Sequence, residues 1–269
     1  MNLKNRVAVI TGAGSGIGRA TALALARRGC HLALADIDAA GLAETYAQAL
    51  ELRVRASQHR LDVADRAAVA ALPAQVLKSH AGVDLLVNNA GVALGGHFDE
   101  VSETDFDWLM EINFHAVVCM TRAFLPVLRA SDDARIVNIS SVFGLIAPPG
   151  QSAYCASKFA VRGFSNALRH ELSGTRVGVS VVHPGGVATA IARNARVSAG
   201  TSAEERRRRL ALAEKLLRLP PEAAGEIIVR GVEKRRARIL VGRDAVFIAL
   251  IERLFPVRYW SVLARGIQA

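Results

Sequence analysis

Along the first third of the chain, short apolar runs alternate with longer stretches in which apolar residues recur every three or four positions. RVAVIT, HLALAD, Val54 to Leu61 and DLLVNNAG carry the runs, while Ile17 to Arg28, Ala39 to Leu52 and Ala64 to His80 carry the helical spacing. This predicts a β-α-β-α-β-α-β succession. A helical stretch from Phe106 to Arg129 then leads into RIVNIS, one from Ala153 to Leu172 into VGVSVVHPGG, and one from Pro221 to Lys234 into RILVG. Runs that are apolar on both faces belong to parallel sheets covered by helices on each side. No Pro/Ser-rich linker divides the chain and no segment repeats at a solenoid period, so we expect a single α/β domain over 1–269. Residues 190–219 interrupt the pattern with a composition of Arg, Ala and Leu, as an insertion does.

Composition narrows the class. The 269 residues are 51% hydrophobic and 22% charged, which suits an ordinary globular core. Lys and Arg number 34 against 24 Asp and Glu, a net +10 that favours anionic partners such as nucleotides. The apolar runs Val7 to Ile10 and Ala245 to Ile251 fall far short of the ~20 residues that span a bilayer, so neither secretion nor a membrane span is expected. Cys30, Cys119 and Cys155 are odd in number and unpaired in spacing. They argue against a disulfide framework and against a metal site, and for a reducing, cytoplasmic setting. Basic residues are not threaded with a stacking array, so nucleic acid is not an expected partner.

Between the first strand run and the first helix run stands TGAGSGIG, residues 11–18. Glycines there leave backbone N–H groups open to a phosphate, and the helix N-terminus adds partial positive charge. The spacing is TGxxxGxG, with Gly12, Gly16 and Gly18, because Ile17 stands where GxGxxG would need glycine. Asp36 ends the second strand run 18 residues past Gly18, close to the ~20 at which an acid meets the adenosine ribose. A carboxylate there accepts the ribose hydroxyls of NAD and repels the 2′-phosphate of NADP. Ile37 and Ser15 offer no compensating cation, although Arg19 beside the loop leaves that route open. NAD is the expected cofactor.

Tyr154 and Lys158 are four apart on a predicted helix and share a face. A desolvated ammonium beside a phenol lowers its pKa and makes it a usable acid/base near neutrality. TGAGSGIG, Asp62, NNAG at 88–91, Asn113, Ser141 placed 13 before Tyr154, YCASK at 154–158 and PGGVAT at 184–189 together resemble the short-chain dehydrogenase/reductase family, in the family's order. The resemblance spans residues 5 to about 190. It implies a Rossmann-like, doubly wound parallel sheet of about seven strands in the order 3-2-1-4-5-6-7, and a homodimer or homotetramer. It also implies tasks for matching residues. Tyr154 would be the general acid/base, and Lys158 would lower its pKa and bind the nicotinamide ribose. Ser141 would hydrogen-bond the substrate oxygen, and Asn113 would hold a relay water. Gly12, Ser15, Gly16, Ile17 and Gly18 would cradle the pyrophosphate, with Asp36 on the ribose and Asp62 and Val63 at the adenine. Asn89, with Ala90 and Gly91, would secure the strand beside the cofactor, and Pro184, Gly185, Val187 and Thr189 would meet the carboxamide and phosphate side. Ser140 is the rival to Ser141; the family's spacing of 13 selects Ser141, since one residue along a strand reverses the side chain's face. Cys155 is given no role, and His183 either packs at a strand end or faces the nicotinamide.

Residues 190–219 lie where the family keeps its substrate lid. Arg193, Arg196 and EERRRRLALAEKLLRL, with Leu210, Leu212, Leu216, Leu217 and Leu219, suggest an amphipathic helix covering a pocket. Leu94, Val142, Phe143, Leu145, Ile146 and Pro149 make the presumed pocket apolar, which favours a hydrophobic secondary alcohol or ketone as the small-molecule substrate. The tail, 245–269, combines Phe247, Phe255, Tyr259 and Trp260 with Arg253, Arg258 and Arg265, and is expected to pack on the pocket or on another subunit. Two alternatives stay open: a non-catalytic NAD-binding sensor or scaffold, and a peripheral membrane dehydrogenase of lipid-like, steroid-like or retinoid-like substrates.

Overall fold

Strand β1 (Val7–Thr11) lies at the centre of a parallel sheet, flanked by β2 (His31–Asp36) and β4 (Leu85–Asn88). The computed structural model describes residues 1–198 and 200–268, apart from the side chains of residues 203, 206, 209 and 265–268. With β3 (Ala56–Arg60), β6 (Ala134–Ile139), β7 (Val177–Pro184) and β9 (Arg238–Val241), the strand order is β3-β2-β1-β4-β6-β7-β9. A separate pair joins β5 (Leu94–Gly95) to β8 (Arg196–Val197) in parallel. Leaving that pair aside, the main sheet runs 3-2-1-4-5-6-7, the doubly wound Rossmann-like order.

The central strands are buried on both faces, and side-chain alternation divides the core in two. Ile10, Leu32, Leu34, Leu85 and Val87 pack with α1 (Gly16–Ala26), α2 (Ala39–Glu51) and α8 (Pro221–Glu233). Val9, Ala33, Leu86 and Ile136 pack on the other side with α3 (Arg66–Leu77), α5 (Ala116–Ala130) and α6 (Ser152–Glu171). Helix starts are set by short polar side chains: Asp38 accepts from the Ala40 N–H, and Asp65 from those of Ala67 and Ala68.

The stretch from Phe106 to Arg129 departs from a single helix. α4 (Glu103–Met110) passes through a π-helical turn, Glu111–His115, into α5. In the inserted segment, α7 (Ala203–Leu216) starts at Ser202, whose hydroxyl accepts the Glu205 N–H. No described residue of α7 is buried, and Leu212 and Leu216 are 41% and 51% exposed, so the apolar face expected to cover a pocket is not packed on one. The segment is nevertheless rooted. β8 pairs with β5, the Arg196 guanidinium sits 3.6 Å over the Trp108 ring and pairs with Asp105, and Val187 bridges to Leu219. After β9 come α9 (Arg243–Leu254) and α10 (Tyr259–Gln268). The Tyr259 hydroxyl accepts the Ala147 N–H at 3.1 Å, tying the tail to the loop after β6; the Arg265 side chain lies outside the described residues. Val246, Phe247, Leu250 and Leu254 are exposed along α9. Among the described residues, no helix is long and apolar enough to cross a membrane.

Candidate active site

The glycine loop turns sharply from β1 into α1. Gly12 and Gly16 hold positive φ of 65° and 51°, which side-chain-bearing residues rarely adopt. A Cβ on Gly18 would stand 1.9 Å from the Gly12 carbonyl oxygen, so this turn tolerates only glycine there. Asn89 clamps the loop from β4: its Nδ2 donates to the carbonyls of Thr11 at 2.9 Å and Gly12 at 3.1 Å. The Thr11 hydroxyl in return accepts the N–H groups of Asn89 and Ala90. Ser15, the N-cap of α1, is exposed and makes no side-chain cap bond, leaving its hydroxyl available at the positive end of the helix. Ile17 packs against the core, and the Thr189 methyl would be 3.1 Å from a Cβ at Gly16, so PGGVAT reaches over the loop.

Asp36 is tied into this cradle. One carboxylate oxygen accepts the Gly14 N–H at 2.7 Å and the other the Asp38 N–H at 2.9 Å, with a further lone pair free on each. The Arg19 guanidinium is spent close by, on the Gly14 carbonyl, the Thr45 hydroxyl at 3.0 Å and the Glu44 carboxylate at 2.8 Å. Asp62 is exposed and caps its own turn by accepting the Ala64 N–H, and Val63 packs beneath it. These parts fit a dinucleotide: open amide donors at a helix N-terminus for a pyrophosphate, then a carboxylate at the end of the adjacent strand for a ribose.

Two strands from β1, β6 leads into two serines with opposite fates. The Ser140 hydroxyl is buried and donates to the Lys158 carbonyl at 2.8 Å. Ser141 faces the other way, and its hydroxyl acts on the Tyr154 phenol. Its oxygen also accepts the Phe143 N–H at 3.1 Å, starting a 3₁₀ turn over Val142–Gly144. Tyr154 and Lys158 stand one turn apart on α6. Burial pushes the phenol up to about 12, opposed by the Ser141 hydroxyl. Burial pushes the Lys158 ammonium down to about 8; the side chain is 4% exposed. Its Nζ donates to the Ile139 carbonyl at 3.2 Å and lies 5.6 Å from the Tyr154 ring centroid. In this structure the ammonium is turned to a backbone carbonyl, and burial is the largest influence on the phenol.

Gly91 lets this corner close, since a Cβ there would be 3.1 Å from Asn113 Oδ1 and 3.5 Å from Lys158 Nζ. Asn113 sits in the π turn, a feature frequent at functional sites. Its amide hydrogens go to the Val92 carbonyl and the Ser157 hydroxyl, and its oxygen accepts the Val92 N–H, leaving one oxygen lone pair for a water.

One expectation shifts. Leu94, Val142, Leu145 and Ile146 are buried in packing, so Phe143 and Pro149 are what remain of the presumed lining. His183 is fully buried, and its Nδ1 bonds the Ser141 carbonyl oxygen at 2.9 Å. Cys155 is buried with its thiol pushed up to about 12, a packing residue. The sequence reading missed Asp244, at the start of α9. Its carboxylate accepts the Gly186 N–H at 2.6 Å and pins the turn after Pro184 and Gly185. Val187 is buried in the core below that turn. The absence of a side chain at Gly185, beside that carboxylate, was the available signal.

A family model described as short chain dehydrogenase matches residues 6–199. An oxidoreductase named SadH from Mycobacterium tuberculosis is 47% identical over 272 residues, covering 99% of this chain and 96% of that protein. Estradiol 17-beta-dehydrogenase 11 of Mus musculus is 30% identical over 269 residues, covering 99% and 85%. Among solved structures, a short chain dehydrogenase/reductase from Burkholderia phymatum in complex with NAD superimposes with a TM-score of 0.87 at 32% identity, over 94% of this chain and 95% of that one.

Proposed function

The chain belongs to the short-chain dehydrogenase family of oxidoreductases, and from that premise we propose that it interconverts a hydrophobic secondary alcohol and its ketone with NAD. The observation that carries this reading is the meeting of the Ser141 and Tyr154 hydroxyls, with Lys158 one turn away, at the C-terminal end of β6. NAD, held by the glycine loop and Asp36, would supply the hydride acceptor at C4 of its nicotinamide and, when oxidised, a positive ring charge.

The chain's own groups would then handle the proton. With its pKa raised, Tyr154 rests as a neutral phenol and is ready to protonate a ketone oxygen as hydride arrives at the carbonyl carbon. In the oxidative direction its phenolate takes the hydroxyl proton as hydride leaves. Ser141 has its acceptor side engaged by Phe143, so its O–H points its donor at the same oxygen. Lys158 would return protons from solvent through a water held by the remaining lone pair of Asn113. The side chains left to line the substrate side, with Phe143 edge-on to Tyr154, support an apolar substrate, as does the steroid named for the Mus musculus relative. The three free thiols fit a reducing compartment such as the cytoplasm. The exposed apolar residues of α9 support a homo-oligomer, to be measured by light scattering.

Tyr154→Phe tests the reading. Initial rates over a panel of hydrophobic secondary alcohols and ketones should fall by about a hundredfold or more, while NADH affinity stays nearly unchanged. Turnover equal to the parent chain would eliminate the assignment and favour a binding-only protein.

A further inference from the structure

A cavity of about 390 Å³ opens where α6 passes over β7 and β9. Four of its lining side chains carry chemistry: Arg162 and Arg169 from α6, His183 from β7 and Arg238 from β9. No carboxylate lines it, and neither the glycine loop nor Tyr154 borders it. Several arginines elsewhere are answered by acids, as Arg6 is by Asp84, Arg28 by Glu226 and Glu233, and Arg66 by Glu111. Here they are underused. Arg162 donates once, to the Gly144 carbonyl at 3.1 Å. Arg169 reaches Asn166 Oδ1 at 3.1 Å and the His170 ring at 3.5 Å. The Arg238 guanidinium makes no hydrogen bond or ion pair among the described residues; Glu252 acts on it only through the field, against the repulsion of Arg162 and Arg253. A guanidinium carries five donors, so most of the cluster's capacity is unspent.

His183 adds a different demand. Its Nδ1 is committed to the Ser141 carbonyl, and its Nε2 is buried with no partner among the described residues. The cluster therefore calls for a ligand with negative oxygens for three cations and a proton for one nitrogen acceptor. Sulfate and carboxylates bring only the oxygens. A phosphate group brings both, because its second ionisation lies near pH 6 and leaves a P–OH on about a tenth of the groups at pH 7 and about half at pH 6. The cavity exceeds the size of a bare phosphate ion, which leaves room for a small organic body.

We propose that this cavity is a phosphate site, taking the phosphate group of a small phosphate monoester, and that it communicates with the Ser141 turn. His183 holds the Ser141 carbonyl and Arg162 the Gly144 carbonyl, so a ligand drawing on both grips the two ends of the turn that presents Ser141. This inference rests on the cavity alone and stands apart from the assignment of the reaction.

Calorimetric titration of the whole chain with inorganic phosphate, with glycerol phosphate and with sulfate, at fixed ionic strength, tests it. One saturable site per chain is expected, tighter for the phosphates than for sulfate. Affinity should weaken by about tenfold or more in Arg169→Gln/Arg238→Gln, with thermal melting confirming the fold. Arg238→Gln alone serves if the pair fails to fold, since Arg238 is exposed. Phosphate should also slow amide hydrogen exchange over residues 143–145 in the parent chain and not in the variant. Non-saturable binding, or binding unchanged by the substitutions, as a phosphate seated on the glycine loop would give, overturns the site. Equal affinity for sulfate overturns the part given to His183.

Discussion

Replacing Asp36 by Asn probes the cofactor assignment without needing the substrate. The change keeps the shape and one acceptor oxygen while removing the charge. Two unit charges at ~4 Å with an effective dielectric of ~20 interact by about 4 kcal/mol. Asp36 is only half-buried, so salt and solvent reduce that to about 1–2 kcal/mol, or roughly ten- to thirtyfold in affinity. NADPH should bind Asp36→Asn more tightly than the parent chain by that factor. Arg19 cannot add to the gain, because Gly14, Thr45 and Glu44 hold its guanidinium. NADH should lose several-fold, since a neutral amide accepts ribose hydroxyls less strongly than a carboxylate. The new NH₂ also faces a backbone N–H that Asp36 accepted, at Gly14 or Asp38, so stability should fall by about 1 kcal/mol. The assay is titration of reduced-nicotinamide fluorescence at two salt concentrations, with a thermal melt beside it. NADPH affinity unmoved by the substitution, or tighter than that of NADH in the parent chain, would refute the argument.

Two further outcomes follow from the same geometry. Lys158 titrates at about 8 in the fold and near ~10.4 in an unfolded chain, so between those values the unfolded chain binds the proton that the folded one has released. Stability therefore rises with pH across that window, and Lys158→Met should flatten the rise in urea-denaturation midpoints taken at successive pH values; a flat profile in the parent chain would contradict the burial assigned to Lys158. Tyr154, held up to about 12, opposes this only above its unfolded value near ~10, where the folded phenol keeps a proton that the unfolded one gives up. Asp244→Ala leaves the Gly186 N–H without its acceptor and should cost about 1–2 kcal/mol in urea denaturation, with several-fold weaker NADH binding; stability equal to the parent would show that the turn is held by other contacts.

Much of this arrangement is written in local sequence. The strand-loop-helix succession around TGAGSGIG needs only periodicity and glycine, and Asp36 is found by counting from Gly18 to the end of the next apolar run. The opposite fates of Ser140 and Ser141 follow from the alternation of extended backbone, which carries on past the end of β6 and turns neighbours to opposite sides. What escapes are features set by distant partners or by small changes in helix winding. Asp244 meets Gly186 across 58 residues, and the glycine at 185 marks a close approach without saying what approaches. The π turn at Glu111–His115 preserves apolar spacing well enough to pass for continuous helix. The β5–β8 pair is too short for any alternation to show. The Lys158 ammonium reads as a partner for Tyr154 from i, i+4 spacing, yet the Ile139 carbonyl, delivered by a separate strand, competes for it.

The double rooting of the segment that carries α7 bears on how such a chain diversifies. One root is the β8 strand laid against β5, and the other is Leu219 bridged to Val187, while the Gly186 carbonyl accepts the N–H groups of both Arg218 and Leu219. Whatever lies between those roots can be lengthened, shortened or rewritten without disturbing the register of the main sheet or the corner where Ser141, Tyr154 and Lys158 meet. The enclosed stretch thus behaves as an exchangeable cassette on a fixed chassis, and a family of catalysts with one chemistry and many clienteles can arise by swapping it.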